Sequence, residues 1–558
     1  MKTIIATLLT EQLSLDVDIH SLLETPKHAS HGDIAFPTFL LAKERKQSPV
    51  IIAQELAKEL TLPEQVQKVQ AAGPYINFFF TAQYHLDQAL KTPEIPQTQE
   101  TILLEWPSPN SNKPLHIGHV RNMLMGNSLA RILEKTGRKV IKVNLNNDRG
   151  IAICKSMLMY QLYGEGKTPE SEGMKSDYFV GYYYTLFEKK VKEQPELQDQ
   201  AQEMLQQWEA GDATVRALWE QMNNWAFQGH NTTYETFDIE HEKSYYESEI
   251  FHKGKEIVQQ GEKDGLFYTD EKQNICIDLE QEGYGQKVLL RGDGTSIYIT
   301  QDIALAKEKV NDFGACDKYI FVVGNEQAYH FQVLFNVLEK LGFGSTEKFF
   351  HFAYGMIELP EGKMSSRKGT VIYADQLIEE LEEQAKENLL NRELTADLEA
   401  EELSARSKAI AKAALNFFIL KFNPLSNFVF NPKESLSFEG ETGPYLQYTY
   451  ARIQSVLKKM EETEVIYPEE LEEKEQALVK VLQEYASVVY EAGEEYKPSH
   501  IAHYAIKLAQ TYNEFYHSCP IRTAPEDRKG LRKALSEQTA RIIKDCLSLL
   551  TIQALDEM

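Results

Sequence analysis

Two short peptides hold the residues best suited to chemistry in this chain: His116-Ile117-Gly118-His119 and, far downstream, Lys363-Met364-Ser365-Ser366-Arg367. Imidazoles donate hydrogen bonds to phosphate oxygens as charge moves onto a leaving pyrophosphate. Gly118 has no Cβ, so a flat base can approach its backbone. The second peptide lies between Gly362 and Gly369 and gathers Lys363, Ser365, Ser366, Arg367 and Lys368, a composition suited to a loop closing over a triphosphate. Either string alone has a plainer reading, a capped helix with incidental histidines or a solvated basic turn. In this order they point to one nucleotide site.

The elements that must position the first peptide are legible around it. Thr101 to Trp106 reads as a short buried strand, and Pro107 to Asn112 as turn and cap chemistry. A helix is expected from about Leu115 to Lys135, terminated by Gly137, and Arg138 to Leu145 reads as the next strand. Such a βαβ unit offers phosphate the free N–H groups and positive dipole end of a helix N-terminus.

Four blocks carry a family resemblance. The segment from Ser108 to Asn122 and the segment from Tyr354 to Thr370 hold the two peptides. The block Ser437 to Ile453 (SFEGETGPYLQYTYARI) is the most specific match, and HGDIAFPTFLLAKERKQSP with GPYINFFF precede residue 81. In these blocks the chain resembles class I aminoacyl-tRNA synthetases, and among them the arginyl enzymes. The resemblance implies an ATP-dependent ligase that joins L-arginine to its tRNA, tRNA(Arg), through an adenylate, with Mg²⁺ carried by the nucleotide and no metal site on the protein. It implies catalytic roles for Lys113, His116, His119 and Lys363. It places ATP against Asn110, His116, Gly118, His119, Lys363, Met364, Ser365 and Ser366, and arginine against Glu105, Asn110, Tyr298, Asp302 and Gln327. It suggests tRNA contacts at Asn77, Phe78 and Tyr445, and binding of tRNA before activation. Ser366 stands where the wider class has a second lysine, for which Lys113 can substitute as a point cation. Arg149 stands where the family usually has tryptophan, which leaves the packing there open.

A guanidinium pocket needs carboxylates and suits an aromatic face. Tyr298 and Asp302 are four apart and share a face if helical. On spacing alone the plainer reading leads: a core aromatic and a helix-start acid. A site built on charge-assisted bonds rejects analogues by roughly 10⁴–10⁵, so no editing domain is expected.

The fold class expected is multidomain α/β. A small N-terminal α/β module (1–92) would contact the tRNA elbow and precede a Rossmann-type parallel-sheet catalytic domain (93–375) with a helical insertion at about 152–283. A connecting region (376–432) and a C-terminal all-α bundle (433–558) for the anticodon would follow. In the bundle, Leu478, Val481, Leu482, Tyr485, Val488 and Val489 form one apolar stripe, and Ile501 to Tyr516 carry another. The tyrosine run Tyr182-Tyr183-Tyr184 reads as packing. A net charge of −25 argues by itself against a nucleic-acid partner. Much of it sits in runs such as Glu379-Glu380-Leu381-Glu382-Glu383, so a local basic surface is required.

No run of about 20 apolar residues suggests a membrane span. The apolar start at Met1 to Leu9 runs into Glu11 and Asp16 and reads as an amphipathic helix. Five scattered cysteines, Cys154, Cys276, Cys316, Cys519 and Cys546, form no CxxC, so reduced thiols and a cytoplasmic location are expected. The assembly expected is a monomer, which no residue pattern dictates. Two rival readings remain: a nucleotidyltransferase without RNA, and a non-catalytic synthetase-like RNA-binding protein.

Overall fold

The structure, a computed structural model, describes residues 1–13, 17–26, 28–294, 296–358, 372–391 and 399–558. The chain forms two compact units. The first comprises Met1–Glu94, Ile453–Tyr485 and Lys507–Ile542, and the second Ile95–Arg452, Ala486–Ile506 and Ile543–Met558.

In the first unit, β1 (Ile34–Pro37), β2 (Val66–Ala72) and β3 (Tyr75–Phe80) make an antiparallel sheet in the order β1-β3-β2. The first helix, Lys2–Leu13, is amphipathic as its sequence predicts and buries Ile5, Leu8 and Leu9. They join Phe36, Ile52, Leu56, Ile76 and Phe78 in one core. Segments of the terminal helices pack in the same unit: Gln483 Nε2 donates to His85 O at 2.8 Å, and Lys480 Nζ lies 3.6 Å from Asp33 Oδ1. Of the two apolar stripes, Leu478, Val481, Leu482, Tyr485, Tyr512 and Phe515 are buried.

The second unit is built on a five-stranded parallel sheet. Its strands are β4 (Thr101–Glu105), β5 (Lys139–Asn146), β6 (Lys243–Tyr246), β10 (Lys318–Gly324) and β11 (Phe349–Tyr354), in the order β11-β10-β4-β5-β6. Strand order reverses between β4 and β10, the place where open α/β sheets hold ligands beyond their carboxyl ends. The helix Ile117–Lys135 follows β4 and is buried at fourteen of its nineteen positions. Gly126 lies against Trp106, where a Cβ would stand 2.4 Å from the indole. Ser128 Oγ donates to Leu549 O at 2.7 Å, which ties the chain's last helix to this central one.

Two expectations are adjusted. The helix begins at Ile117 rather than about Leu115, because His116 is its N-cap in extended conformation (φ −126°, ψ 174°). The span expected as a helical insertion holds four helices, Ile151–Tyr163, Ser176–Lys190, Leu197–Glu209 and Ala213–Thr236, then returns to the core sheet as β6 and continues into a fifth helix, Glu247–Lys263. Four residues are too few for an alternation pattern to be read. A small antiparallel sheet of β7 (Tyr268–Thr269), β8 (Ile275–Leu279) and β9 (Gly285–Leu290) comes next. Tyr183, Phe179 and Trp208 are buried among the insertion helices, so the aromatic run packs there, while Tyr182 stays exposed.

Candidate active site

The first turn of the helix Ile117–Lys135 fixes both imidazoles by the same device. His116 Nδ1 accepts from Gly118 N–H at 3.1 Å, and His119 Nδ1 accepts from His116 N–H at 3.1 Å. The rings face one another with centroids 4.0 Å apart. With each Nδ1 acting as acceptor, a neutral ring carries its proton on Nε2, the atom left to donate outward. Burial holds both rings neutral: it lowers the pKa of His116 to about 4, with Lys113 adding to the effect, and lowers that of His119 well below the usual histidine range. Gly118 serves this arrangement too, since a Cβ would stand 2.9 Å from the His116 ring. Its open face is therefore filled by that imidazole.

Lys113 is partly buried, and burial lowers its pKa. No acidic side chain pairs with it among the described residues, so its ammonium is available to an anion. Asn110 is exposed on the loop before it. That loop is fastened to the end of β5: Asn147 N–H donates to Pro109 O at 3.0 Å, and Ser111 N–H to Asn147 O at 3.1 Å.

Lys363, Met364, Ser365 and Ser366 lie outside the described residues. The chain beyond them is nevertheless locked to the histidine peptide. Ile117 N–H donates to Ile372 O at 3.1 Å and Ala374 N–H to Leu115 O at 2.9 Å, an antiparallel bridge centred on His116 and Tyr373. On the other side, Arg121 is fully buried and donates to Gly355 O and Pro424 O at 2.8 Å and to Ser426 O at 2.9 Å. Its guanidinium also lies over Phe428, in the strand pair of β12 (Ile357–Glu358) and β13 (Phe428–Val429). Gly355 on one side and Ile372 to Ala374 on the other are thus both bonded to the start of this helix or its flanking turn.

The residues expected to hold arginine are distributed unevenly. Tyr298 and Asp302 share a face of the helix Tyr298–Phe313, and Tyr298 is 81% exposed. The core-aromatic reading of Tyr298 is thereby corrected: its ring is open to a ligand. Asp302 Oδ2 lies 2.6 Å from His330 Nε2, and this bond raises the pKa of His330. Gln327 is exposed in the turn that leads into His330's helix. Glu105 is buried at the end of β4 and its Oε2 pairs with buried Lys309 at 2.5 Å. Lys309, His330 and Arg121 carried no local signal in the sequence.

Arg149 resolves the packing question left by the missing tryptophan. Its guanidinium lies 4.2 Å from the Phe251 ring centroid and 5.6 Å from that of Trp208, and it pairs with Glu209 at 2.5 Å. A planar cation between aromatic faces fills the space of an aromatic side chain. Beside it, burial raises Glu247 to about 7.

The tRNA contacts expected in the N-terminal module are not supported as drawn. Asn77 is 4% exposed and Phe78 is 0% exposed, both on the central strand β3, so their side chains face the module's own interior. Tyr445 is partly buried in the helix Gly443–Leu457.

Comparison with known proteins decides the family. Residues 83–432 match the catalytic domain of class I tRNA synthetases (R), residues 446–558 the DALR anticodon binding domain, and residues 1–80 the arginyl tRNA synthetase N-terminal domain. The chain is 43% identical to the arginine–tRNA ligase of Bacteroides fragilis over 96% of its own length and 95% of the relative's. It belongs to the arginyl-tRNA synthetases. The ligase of Treponema denticola is 41% identical over 96% of this chain and 94% of its own length. The Thermus thermophilus arginyl-tRNA synthetase structure superposes with a TM-score of 0.83 at 27% identity, covering 100% of this chain and 99% of that one. The Plasmodium falciparum enzyme, 18% identical with a TM-score of 0.78, shares the fold over 100% of this chain and 98% of that one. An RNA-independent nucleotidyltransferase would need neither the N-terminal module nor the terminal helical domain. A non-catalytic relative would not need the paired imidazoles. Both rival readings are set aside.

Proposed function

We propose that the protein ligates L-arginine to tRNA(Arg) in two steps, with ATP as the energy source. The observation that carries this is the pair of Nε2–H donors at a helix start, beside an unpaired ammonium and bonded through the backbone to the exit of the lysine-serine segment. In the first step the arginine carboxylate attacks the α-phosphate and pyrophosphate leaves. His116, His119, Lys113 and the helix N-terminus stabilise charge on the phosphate oxygens, and Lys363, Met364, Ser365, Ser366, Asn110 and Gly118 complete the nucleotide site. Asp302 takes the guanidinium with Tyr298 against its face, while Glu105, Asn110 and Gln327 hold the remaining polar atoms of arginine. In the second step the terminal adenosine hydroxyl of tRNA attacks the adenylate carbonyl. Catalysis is by positioning and charge stabilisation, with no covalent enzyme intermediate.

The imidazoles and ammonium here are phosphate donors rather than a carboxylate cage, so Mg²⁺ enters with the nucleotide. Among the described residues, the one cluster with metal-ligand spacing is Glu472, Glu475 and Cys519. There Glu475 is already paired with Arg528 and Arg532. The N-terminal module is assigned to the tRNA elbow and the C-terminal helices to the anticodon, with Tyr445 a candidate contact. All five cysteines are free and buried, which fits a reducing cytoplasm. No helix among the described residues is long and apolar enough to cross a membrane. A monomer is the assembly assigned.

Arginine-dependent exchange of pyrophosphate into ATP tests the reading, with and without tRNA. Exchange with arginine alone among amino acids, stimulated by tRNA, is the expected result. Exchange driven by another amino acid would reject it.

A further inference from the structure

The helix Ala213–Thr236 of the insertion touches both signature regions through residues three apart. His230 Nε2 lies 3.0 Å from Lys113 O. A carbonyl only accepts, so Nε2 carries the proton. The ring is 1% exposed, and burial lowers its pKa to about 4, which keeps it neutral. One turn on, Thr233 Oγ1 lies 3.0 Å from Asp375 Oδ1 and 2.7 Å from Lys175 Nζ. Lys175 Nζ also reaches Asp375 Oδ2 at 2.7 Å and Asp177 Oδ2 at 3.2 Å. The Asp177 side chain is fully buried. It is admitted by Gly229, where a Cβ would stand 2.4 Å from Asp177 Oδ1. Asp375 follows directly on Ile372 to Ala374, the residues bonded to the histidine peptide.

These contacts form a bracket. His230 and Thr233 lie on one helix face, so a single rigid element holds the backbone of Lys113 and the residue that follows the paired strand. We propose that His230 and Lys175 are positioning residues for adenylate formation: His230 sets the backbone of Lys113, and Lys175, through Asp375, sets Ile372 to Ala374 against the histidine peptide. The partners of both side chains are protein groups, Lys113 O for His230 and Thr233, Asp375 and Asp177 for Lys175, so each acts through another residue. The inference rests on the reading that Lys113 acts on the triphosphate. A misplacement of about 1 Å at a reacting group costs on the order of 10²-fold in rate, which sets the size of effect to look for.

The test is a mutant cycle read in arginine-dependent pyrophosphate exchange with the full chain and tRNA. Wild-type exchange and Lys113→Ala check the underlying reading on their own. His230→Ala is expected to lower kcat roughly 10- to 100-fold while the KM for arginine stays within about twofold, with His230→Gln restoring part of the loss because its amide donates at similar reach. If His230 acts through Lys113, the double variant Lys113→Ala/His230→Ala is no slower than Lys113→Ala alone. Multiplying effects would overturn the His230 assignment. Lys175→Met is expected to lower kcat at unchanged arginine KM. A variant that folds, melts lower and keeps the wild-type kcat would show that Lys175 serves stability alone. Should Lys175→Met fail to fold, Thr233→Val loosens Asp375 without removing a charge and is read the same way.

Discussion

His116 does two things with one ring: it closes the helix N-terminus through Nδ1 and presents Nε2–H to the site. Asparagine separates the two roles, because it caps helices well and its side chain ends short of the ε position. His116→Asn is therefore expected to keep the thermal midpoint while lowering kcat for pyrophosphate exchange by about 10²–10³, the loss typical of one preorganised donor. A large drop in the midpoint would mean that capping, not donation, is the main work of this ring. Asp302 has a different signature. A charge-assisted hydrogen bond is worth about 1.5–3 kcal/mol, so Asp302→Asn should raise the KM for arginine by roughly 10- to 100-fold. The KM for ATP should stay put, and equal changes in both would displace Asp302 from the arginine pocket. Its bond to His330 also means that the free pocket holds its carboxylate oriented before arginine arrives.

At the scale of elements, the β4–helix–β5 unit shows what a sequence reveals and what it hides. The apolar run at Thr101, the turn residues after it and Gly137 at φ 83° placed these elements to within two residues. Local periodicity and cap chemistry carry that information. Arg121 is the contrary case. Its carbonyl partner Gly355 lies 234 positions away, and an arginine inside a helix shows no sign that it will be buried against main-chain oxygens. Lys309 and His330 escaped notice for the same reason, and the burial of Asn77 and Phe78, neighbours on opposite faces of β3, depends on what packs on each side of the sheet, which the strand's own residues do not state. The tightest packing in this unit gives a direct test. A Cβ at Gly126 would sit 2.4 Å from the buried Trp106 ring. Overpacking of this kind costs about 1–3 kcal/mol, so Gly126→Ala should lower the urea midpoint by a corresponding amount despite alanine's better helix propensity. A stabilised variant would show that Trp106 and its helix have room to part.

The molecule as a whole should lose stability between pH 6.5 and 5, and the buried imidazoles set the sign. Burial lowers His116, His230 and His241 to about 4 and His119 well below the usual histidine range. Unfolded histidine titrates near 6.5. Above that value both states leave these rings neutral and they contribute no pH dependence. As pH falls below it, the unfolded chain binds four protons that the folded chain refuses, so stability drops. Raised carboxyls work the other way: Asp177 at about 6 and Glu247 at about 7 take up protons in the folded state first, and Asp148 is also raised by burial. Acidification therefore returns some stability through these three groups. The four imidazoles prevail by number, four rings protonated only in the unfolded chain against Asp177 and Glu247, with Asp148 adding to the carboxyl side. Groups with lowered carboxyl values, such as Asp33 and Asp312, matter only below about pH 4. The thermal midpoint should accordingly be flat from pH 8 to 7 and fall by several degrees from pH 6.5 to 5. Activity of the folded protein should persist down to about pH 5, because His116 and His119, tilted against one another with centroids 4.0 Å apart, both stay neutral over that range. A midpoint that rises on acidification would show that the carboxyls outweigh the rings, and that the nucleotide site is far better hydrated than its packing implies.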